Sequence, residues 1–534
     1  MRSLVWHRIG YILIVTQFLA VANTGAQNNI EISQYVQLNT ITAKGDHAPF
    51  LLTANRQGVS SLDCTNGYAR YGIGLSGGIG NSAWRYDAVA DVVVGYNQNK
   101  SVMPQQLYAG LSWKWLRVDI GVKERFAEMR GNAYANITGV DNSPLKRLYG
   151  NTLSELGTGG LLYSGNSRPI PQVRFDVPDY VDVPGTGSWL KLRGHFAYGI
   201  FLDHNFQKDF TSSNLGAKYG KNILYHSKAL FMKVGNVQKF PLEIEGGLEM
   251  YSQFGGDFYT HGRGKYLSMP RGIKDFFKAV IPLGGDDSTP TPEQANISGN
   301  QIGNWHLAFT LKTKPVDVRI YGEHLFEDFS QLFFFEYQSN REGKREIVYY
   351  PWRDIQAGIS VTNKSGYLDF ISSVQYEYTS MYDQSGAGYN DPNAYYKEQM
   401  DGVDDYYNHS IYPGWHYYGM GIGNPLAISP LYNKNGSLVF SGNRFKAHSV
   451  GVNGAFCKND VLKYRLMYTY SENWGTYFNP FSKKMYSTSL LADLAFVPPC
   501  GKWVCSLSLA FDKSNYIGDN WGAMLSVARL GLFK

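Results

Sequence analysis

Val461-Leu-Lys-Tyr-Arg-Leu-Met-Tyr-Thr-Tyr470 puts Leu462, Tyr464, Leu466, Tyr468 and Tyr470 on one face of an extended chain and Lys463, Arg465 and Thr469 on the other. Strand side chains alternate with period two, so one face is apolar and ring-rich and the other is charged. The same pattern recurs outward from this stretch. Tyr86, Ala88, Ala90, Val92, Val94 and Tyr96 oppose Arg85, Asp87 and Asp91. Leu190, Leu192, Phe196, Tyr198 and Ile200 oppose Lys191, Arg193 and His195, and Val316, Val318 and Ile320 oppose Asp317, Arg319 and Glu323. Repeated segments of about ten residues with this alternation predict an all-β protein, a transmembrane antiparallel β-barrel. Such runs number roughly 17 or 18, and bacterial barrels prefer even counts, so about 18 strands are expected. A cylinder of that width holds an aqueous lumen unless the chain fills it.

The rest of the composition agrees. Aromatics make up 15% of the 534 residues, which suits girdles at the two membrane interfaces. Mean hydropathy is −0.30, because lumen faces and loops are polar. The first residues read as a secretory leader: Arg2, His7 and Arg8, an apolar run from Ile9 to Ala22, then Thr24-Gly-Ala26. The expected organisation is a signal peptide over 1–26, an N-terminal periplasmic or plug segment over 27–67, and a barrel over 68–534. The location is then the outer membrane of a Gram-negative bacterium, with membrane lipid around the barrel. Net charge is +6 with both signs mixed along the chain, so no nucleic-acid stripe exists. Cys64, Cys457, Cys500 and Cys505 form no CxxC pair, and neither a metal site nor a cofactor is expected. An oxidising periplasm permits disulfides, and Cys500 and Cys505 flank a short turn.

Two glycine motifs carry little. Gly72-x-Gly74-x-x-Gly77 and Gly74-x-Ser76-x-Gly78 fit a dinucleotide fingerprint and a nucleophile elbow. Both lie inside one strand, without the strand-turn-helix context those sites require. With no distinguishing nucleophile, no enzyme is expected. His195, Arg319, Glu323 and His324 are assigned to a network of polar groups in the lumen.

Four segments break the tiling: 31–67, 131–187, 261–303 and 383–430. Long loops are usually functional or disordered. The third contains Ile273, Phe276, Phe277 and Val280 at helical spacing. The fourth holds Tyr406, Tyr407, Tyr412, Trp415, His416, Tyr417 and Tyr418. Rings offer flat apolar faces on which sugars stack, whereas an interfacial girdle would place them singly at strand ends. Tyr406, Tyr407, Trp415, His416 and Tyr417 are therefore candidate polysaccharide contacts. Leu162-Tyr-Ser-Gly-Asn-Ser-Arg-Pro-Ile-Pro-Gln-Val-Arg174 carries two prolines at spacing two, so it is no ordinary central strand. It is read as a fixed segment packed in the barrel or at its mouth, with ligand contact by Asn166, Arg168 or Arg174 as the alternative.

Ser164-Gly-Asn-Ser-Arg-Pro-Ile-Pro-Gln172, Tyr321-Gly-Glu-His324, Gly423-Asn-Pro-Leu-Ala-Ile-Ser-Pro430 and Pro49-Phe-Leu-Leu-Thr-Ala-Asn-Arg-Gln-Gly58, behind a leader, together resemble the capsule assembly (Wzi-type) outer-membrane family. The resemblance implies a monomeric 18-stranded barrel closed on the periplasmic side by helical elements. It also implies a lectin that binds capsular polysaccharide and helps hold it at the cell surface, without being the export channel. Asn520, Gly522, Leu525 and Val527 look like the signal read by the barrel-assembly machinery, a transient partner. A porin-like channel and an outer-membrane hydrolase are the competing readings.

Overall fold

A computed structural model describes residues 30–98, 100–125, 156–280, 299–327, 336–339, 345–348, 353–364, 370–384, 404–456, 461–498 and 502–531. Eighteen antiparallel strands close into one barrel. In chain order they are β1 (Glu31–Lys44), β2 (Thr65–Gly78), β3 (Trp84–Tyr96), β4 (Val102–Trp113), β5 (Leu116–Val122), β6 (Gln172–Asp182), β7 (Leu190–Ile200), β8 (Leu224–Val234) and β9 (Leu242–Phe254). The second half comprises β10 (Asn300–Lys312), β11 (Val316–Glu327), β12 (Ile355–Asn363), β13 (Ser373–Ser380), β14 (Phe445–Ala455), β15 (Leu462–Gly475), β16 (Pro480–Phe496), β17 (Trp503–Ser514) and β18 (Asn520–Leu530). Each strand pairs with the next, and β1 closes the cylinder on β18 from Tyr35 opposite Leu530 to Lys44 opposite Trp521.

The alternation read from the sequence is the inside-outside alternation of the wall. On β15, Leu466 is 50% exposed while its neighbour Arg465 is 5% exposed and donates to Asp493 of β16. Outward positions such as Val94, Leu230, Ile320, Leu466 and Leu509 form an exposed apolar belt. Exposed rings border it: Trp84, Trp113, Trp189 and Trp503 toward one end, Tyr96 and Trp521 toward the other. No helix is long and apolar enough to cross a membrane, among the described residues. The spans are strands, whose backbone groups satisfy one another around a closed wall.

The two ends differ. The strand pairs β4–β5 and β10–β11 are joined by the short turns 114–115 and 313–315, and residues 30 and 531 lie at this same end. The opposite end carries the connections 45–64, 123–171, 201–223, 255–299, 328–354 and 381–444. Short turns face the periplasm and long loops face outside, so the second end is extracellular.

Three expectations are corrected. The segment 27–67 is not a separate N-terminal plug, because Glu31–Lys44 is the first wall strand. Its outward face carries Gln34, Thr40 and Thr42 among the apolar residues, so its alternation is weak in sequence. Closure comes from the extracellular connections folding inward, and none of the described helices lies on the periplasmic side. Of the first of these, only Phe50–Thr53 (α1) is helical, and the Phe50 N–H is held by the Asp512 carboxylate of β17 at 2.8 Å. The third concerns His324. It lies beside Glu323 on β11, and neighbours on a strand point to opposite faces. Glu323 pairs with Gln356 and faces the lumen, so His324 faces the outer side, where its Nδ1 meets the Asp354 carbonyl at 2.8 Å.

One bulge matters inside. The β3–β4 register shifts between Asp91 and Val92, opposite Pro104, which has no N–H to give. Gln105 and Gln106 are consequently both buried. Gln105 donates to the Gln57 carbonyl at 2.9 Å and to Glu124 at 2.9 Å, tying the wall to the first inward connection.

Cys64 and Cys505 are not joined to each other, and Cys457 and Cys500 lie outside the described residues, as does the leader.

Candidate functional site: a filled lumen beneath an extracellular cap

The aromatic cluster of the long 381–444 connection is inside the barrel. Tyr406, Tyr407, Trp415, His416 and Tyr417 are all buried. Tyr406 Oη donates to the Asp354 carboxylate at 3.2 Å, and the Tyr407 N–H donates to Glu327 at 2.8 Å. Trp415 Nε1 donates to Asn300 Oδ1 of β10 at 3.1 Å, and Tyr417 Oη donates to the Leu202 carbonyl at 2.9 Å. Burial lowers the His416 imidazole to about 4, so it is neutral in its apolar setting. The expected exposed ring faces for sugar stacking are therefore absent at these positions. An 18-strand lumen is wide enough to take the connection in, and large rings fill it.

The Pro-rich run packs against this cluster. Ser164 N donates to the Ile422 carbonyl at 2.8 Å, Ser164 Oγ to the Gly423 carbonyl at 2.7 Å, and Asn166 Nδ2 to the Gly421 carbonyl at 3.2 Å. A Cβ on Gly423 would collide with the Leu161 carbonyl and with Tyr407 Oη, so only glycine fits there. Arg168 is buried, with its guanidinium 5.0 Å above the Tyr418 ring and Nη2 2.6 Å from the Pro104 carbonyl. Arg174 pairs with Asp176 at 2.8 Å and borders a small cleft shared with Lys123, Arg125, Tyr163 and Glu249. Asn166 and Arg168 hold the fill together; Arg168 also borders a small cavity beside Met103, Tyr417 and Tyr418, as Arg174 borders its own.

The inner wall carries its own network of ion pairs, and one of its carboxylates, Glu323, reaches the fill. Arg319 reaches Glu245 at 2.9 Å, Lys233 reaches Glu245 at 2.9 Å, and Lys312 reaches Glu243 at 2.8 Å. Glu323 accepts from Leu161 N at 2.9 Å and from Asn304 Nδ2 at 3.0 Å. His195 faces inward opposite Asp176.

Above the fill sits a small sheet of Lys218–Lys221, Asp257–Thr260 and Gly264–Ser268. A short helix, α2 (Phe206–Phe210), supports it. Asp203 starts this helix by accepting from Asn205 N at 3.1 Å and Gln207 N at 2.9 Å. Burial raises the Asp203 carboxyl, and those two N–H groups oppose the rise. Gln207 Oε1 accepts from Gly220 N at 2.9 Å, locking helix to sheet. Tyr219 and Tyr259 stack at 5.3 Å and 10°, and His261 lies 5.0 Å from Tyr219. Lys221 Nζ sits 5.9 Å over the Tyr259 ring. Lys208, Arg263, Lys265 and Tyr266 are exposed on the same cap. This basic, aromatic surface escaped the sequence reading. Its strands are four or five residues long, too short for alternation to register, and they come from two separate connections. A chemically coherent signal existed only in pieces, Lys218-Tyr-Gly-Lys221 and Asp257-Phe-Tyr-Thr260.

A barrel with an apolar ring-bordered belt, short turns at one end and an inward-folded set of loops at the other is an outer-membrane β-barrel of the Gram-negative type. A solved structure agrees in fold. The chain is similar to Wzi of Escherichia coli, an outer-membrane protein described as involved in group 1 capsule assembly and as a carbohydrate-binding β-barrel. That likeness has a TM-score of 0.51 at 11% identity and covers 92% of this chain and 83% of that one. OccK5 (OpdH) of Pseudomonas aeruginosa matches at 8% identity and a TM-score of 0.44 over 94% of this chain and 97% of its own. OmpT of Vibrio cholerae matches at 8% and 0.34 over 95% and 99%. No family model matches the chain, and no curated protein does.

Proposed function

We propose that this barrel binds a capsular or other surface polysaccharide at its extracellular cap and helps hold it on the cell, as a Wzi-type lectin, without a catalytic step. The observation that carries this reading is the lumen fill. Segments 156–171 and 404–444 are hydrogen-bonded to each other and to the wall, which leaves the cap, among the described residues, as the built outward surface. Tyr259, Tyr266 and His261 supply ring faces, and Lys208 and Arg263 supply charge for an acidic or hydroxyl-rich polymer. The E. coli neighbour is a carbohydrate-binding barrel involved in capsule assembly, which supports the same reading. Adhesion is multivalent: a long polymer spans many monomeric barrels, so weak single contacts sum.

The test is retention of the cognate polymer by a deletion strain complemented with wild type, Tyr259→Ala, or Lys208→Glu with Arg263→Glu. Loss of retention at equal surface expression is expected, and undiminished retention by all variants removes the cap from the mechanism. Steady conductance of the wild-type barrel in planar bilayers would favour the porin reading instead. Cleaved lipid or glycan after incubation would favour the hydrolase.

A further inference from the structure

One helix lies outside the wall. Ile273–Val280 (α3) belongs to the extracellular connection after β9. It rests on outward-facing positions of three adjacent strands. Tyr198 of β7 donates its hydroxyl to the Phe276 carbonyl at 2.5 Å, and its ring lies 5.0 Å from the Phe276 ring. Lys228 of β8 donates to the Val280 carbonyl at the C-terminal end of the helix. Phe254 of β9 meets Phe276 at 5.1 Å. These wall positions share a face with Phe196, Leu230 and Ile244, which are exposed in the lipid belt. His226 and Met250 on that face are buried instead. The helix therefore continues the lipid-facing surface at its extracellular margin.

Its free side is apolar and flanked by cations. Ile273 is 79% exposed and Phe277 is 69% exposed. Arg271 and Lys274 are exposed beside them. The nearby carboxylates are engaged: Asp275 accepts from Gly272 N at 2.7 Å, and Asp257 holds Lys265 at 2.7 Å and faces Arg271 at 3.6 Å. Two large apolar side chains side by side on a helix in water are unfavourable, whereas an interfacial helix buries them among acyl chains while long basic side chains reach the headgroups. The outer leaflet of a Gram-negative outer membrane is a phosphorylated glycolipid.

We propose that α3 is an outer-leaflet lipid site, with Ile273 and Phe277 among the acyl chains and Arg271 and Lys274 on the glycolipid phosphates. The occupant follows from the continuity of α3 with the belt and from the sign of its charge. The site adjoins the cap through the Arg271–Asp257 contact at 3.6 Å, and the substitutions that test it, at Ile273 and Lys274, leave that contact in place.

The test uses the full-length barrel in detergent and measures binding of bisphosphorylated lipid A against its dephosphorylated form. The phosphorylated form is expected to bind on the order of tenfold more tightly. Ile273→Ser with Lys274→Glu, both exposed and remote from the lumen fill, should remove most of that preference, while Lys208→Glu on the cap leaves it intact. A second measurement covers a variant that misfolds: nitroxide labels at Phe277→Cys and Lys208→Cys in a background without the native cysteines, in lipid A-containing bilayers. The Phe277 label should be shielded from an aqueous nickel quencher and the Lys208 label open to it. Equal affinity for the two lipid forms, no effect of the double variant, or equal quenching of the two labels would overturn the proposal.

Discussion

The Glu323 carboxylate on β11 accepts the backbone N–H of Leu161, 2.9 Å away, and so a wall strand grips a segment that enters from the extracellular connection after β5. Glu323 and Asn304 are linked as well, so the contact belongs to a buried network rather than an isolated pair. Glu323→Ala leaves the Leu161 and Asn304 donors without this acceptor, at a cost of about 1–3 kcal/mol each for an unsatisfied buried group. The expected outcome is intermittent conductance in planar bilayers where wild type is closed, with Glu323→Gln closer to wild type because an acceptor oxygen remains.

Tyr407 works by packing and by both roles of its hydroxyl. The hydroxyl donates to the Leu161 carbonyl and accepts from Asn424 N at 3.1 Å. Tyr407→Phe should lower stability by about 1–2 kcal/mol, and Trp415→Ala by about 3–5 kcal/mol through the cavity it leaves. Thermal unfolding followed by heat-shifted mobility checks both. Polymer retention by correctly inserted variants should persist, since both rings are buried.

The His416 imidazole gives the fill a pH dependence. Burial lowers its folded pKa to about 4, below the ordinary value near 6.5. Above pH 6.5 both folded and unfolded forms are neutral and the histidine costs nothing. As pH falls from 6.5 toward 4 the unfolded chain takes up the proton and the folded one does not, so stability drops, levelling off below 4. The full loss is about 3 kcal/mol. His416→Gln should flatten this part of the stability-pH curve, and denaturant midpoints measured from pH 7 to pH 4 decide it.

Adjacent residues on β15 should respond differently to the same kind of change. Leu466→Arg puts a charge on the lipid face and is expected to cost about 2–4 kcal/mol near mid-bilayer. Arg465→Leu leaves Asp493 in the lumen without this partner and is expected to cost about 3–5 kcal/mol. Folding into lipid vesicles should fall for both, but only Leu466→Arg should be worse in thicker bilayers.

The barrel was legible because its rule is local: period-two alternation along β3, β7, β11 and β15 reports which side of each strand meets lipid. The strand β1 was missed because threonine and glutamine share its outward face, and His324 was misplaced where the same alternation, applied residue by residue, would have turned it away from Glu323. The lumen fill was half legible. The paired prolines announced a fixed segment, and the structure shows what fixes it, namely Ser164 and Asn166 on the carbonyls of residues 421–423.

By itself, the order of residues determined most of the wall, its two faces and four of the six long connections, because those depend on neighbours one or two positions apart; the wall strands Glu31–Lys44 and Gln172–Asp182 lay inside segments that broke the pattern. Whether the aromatic connection turned out toward water or in toward the lumen was decided only by tertiary structure. That choice rests on the width of the closed cylinder and on partners such as Glu327, Asn300 and Asp354, supplied by strands and loops far away in the chain. The cap was decided there too, since Tyr219 and Tyr259 become neighbours only when two extracellular connections meet over the mouth.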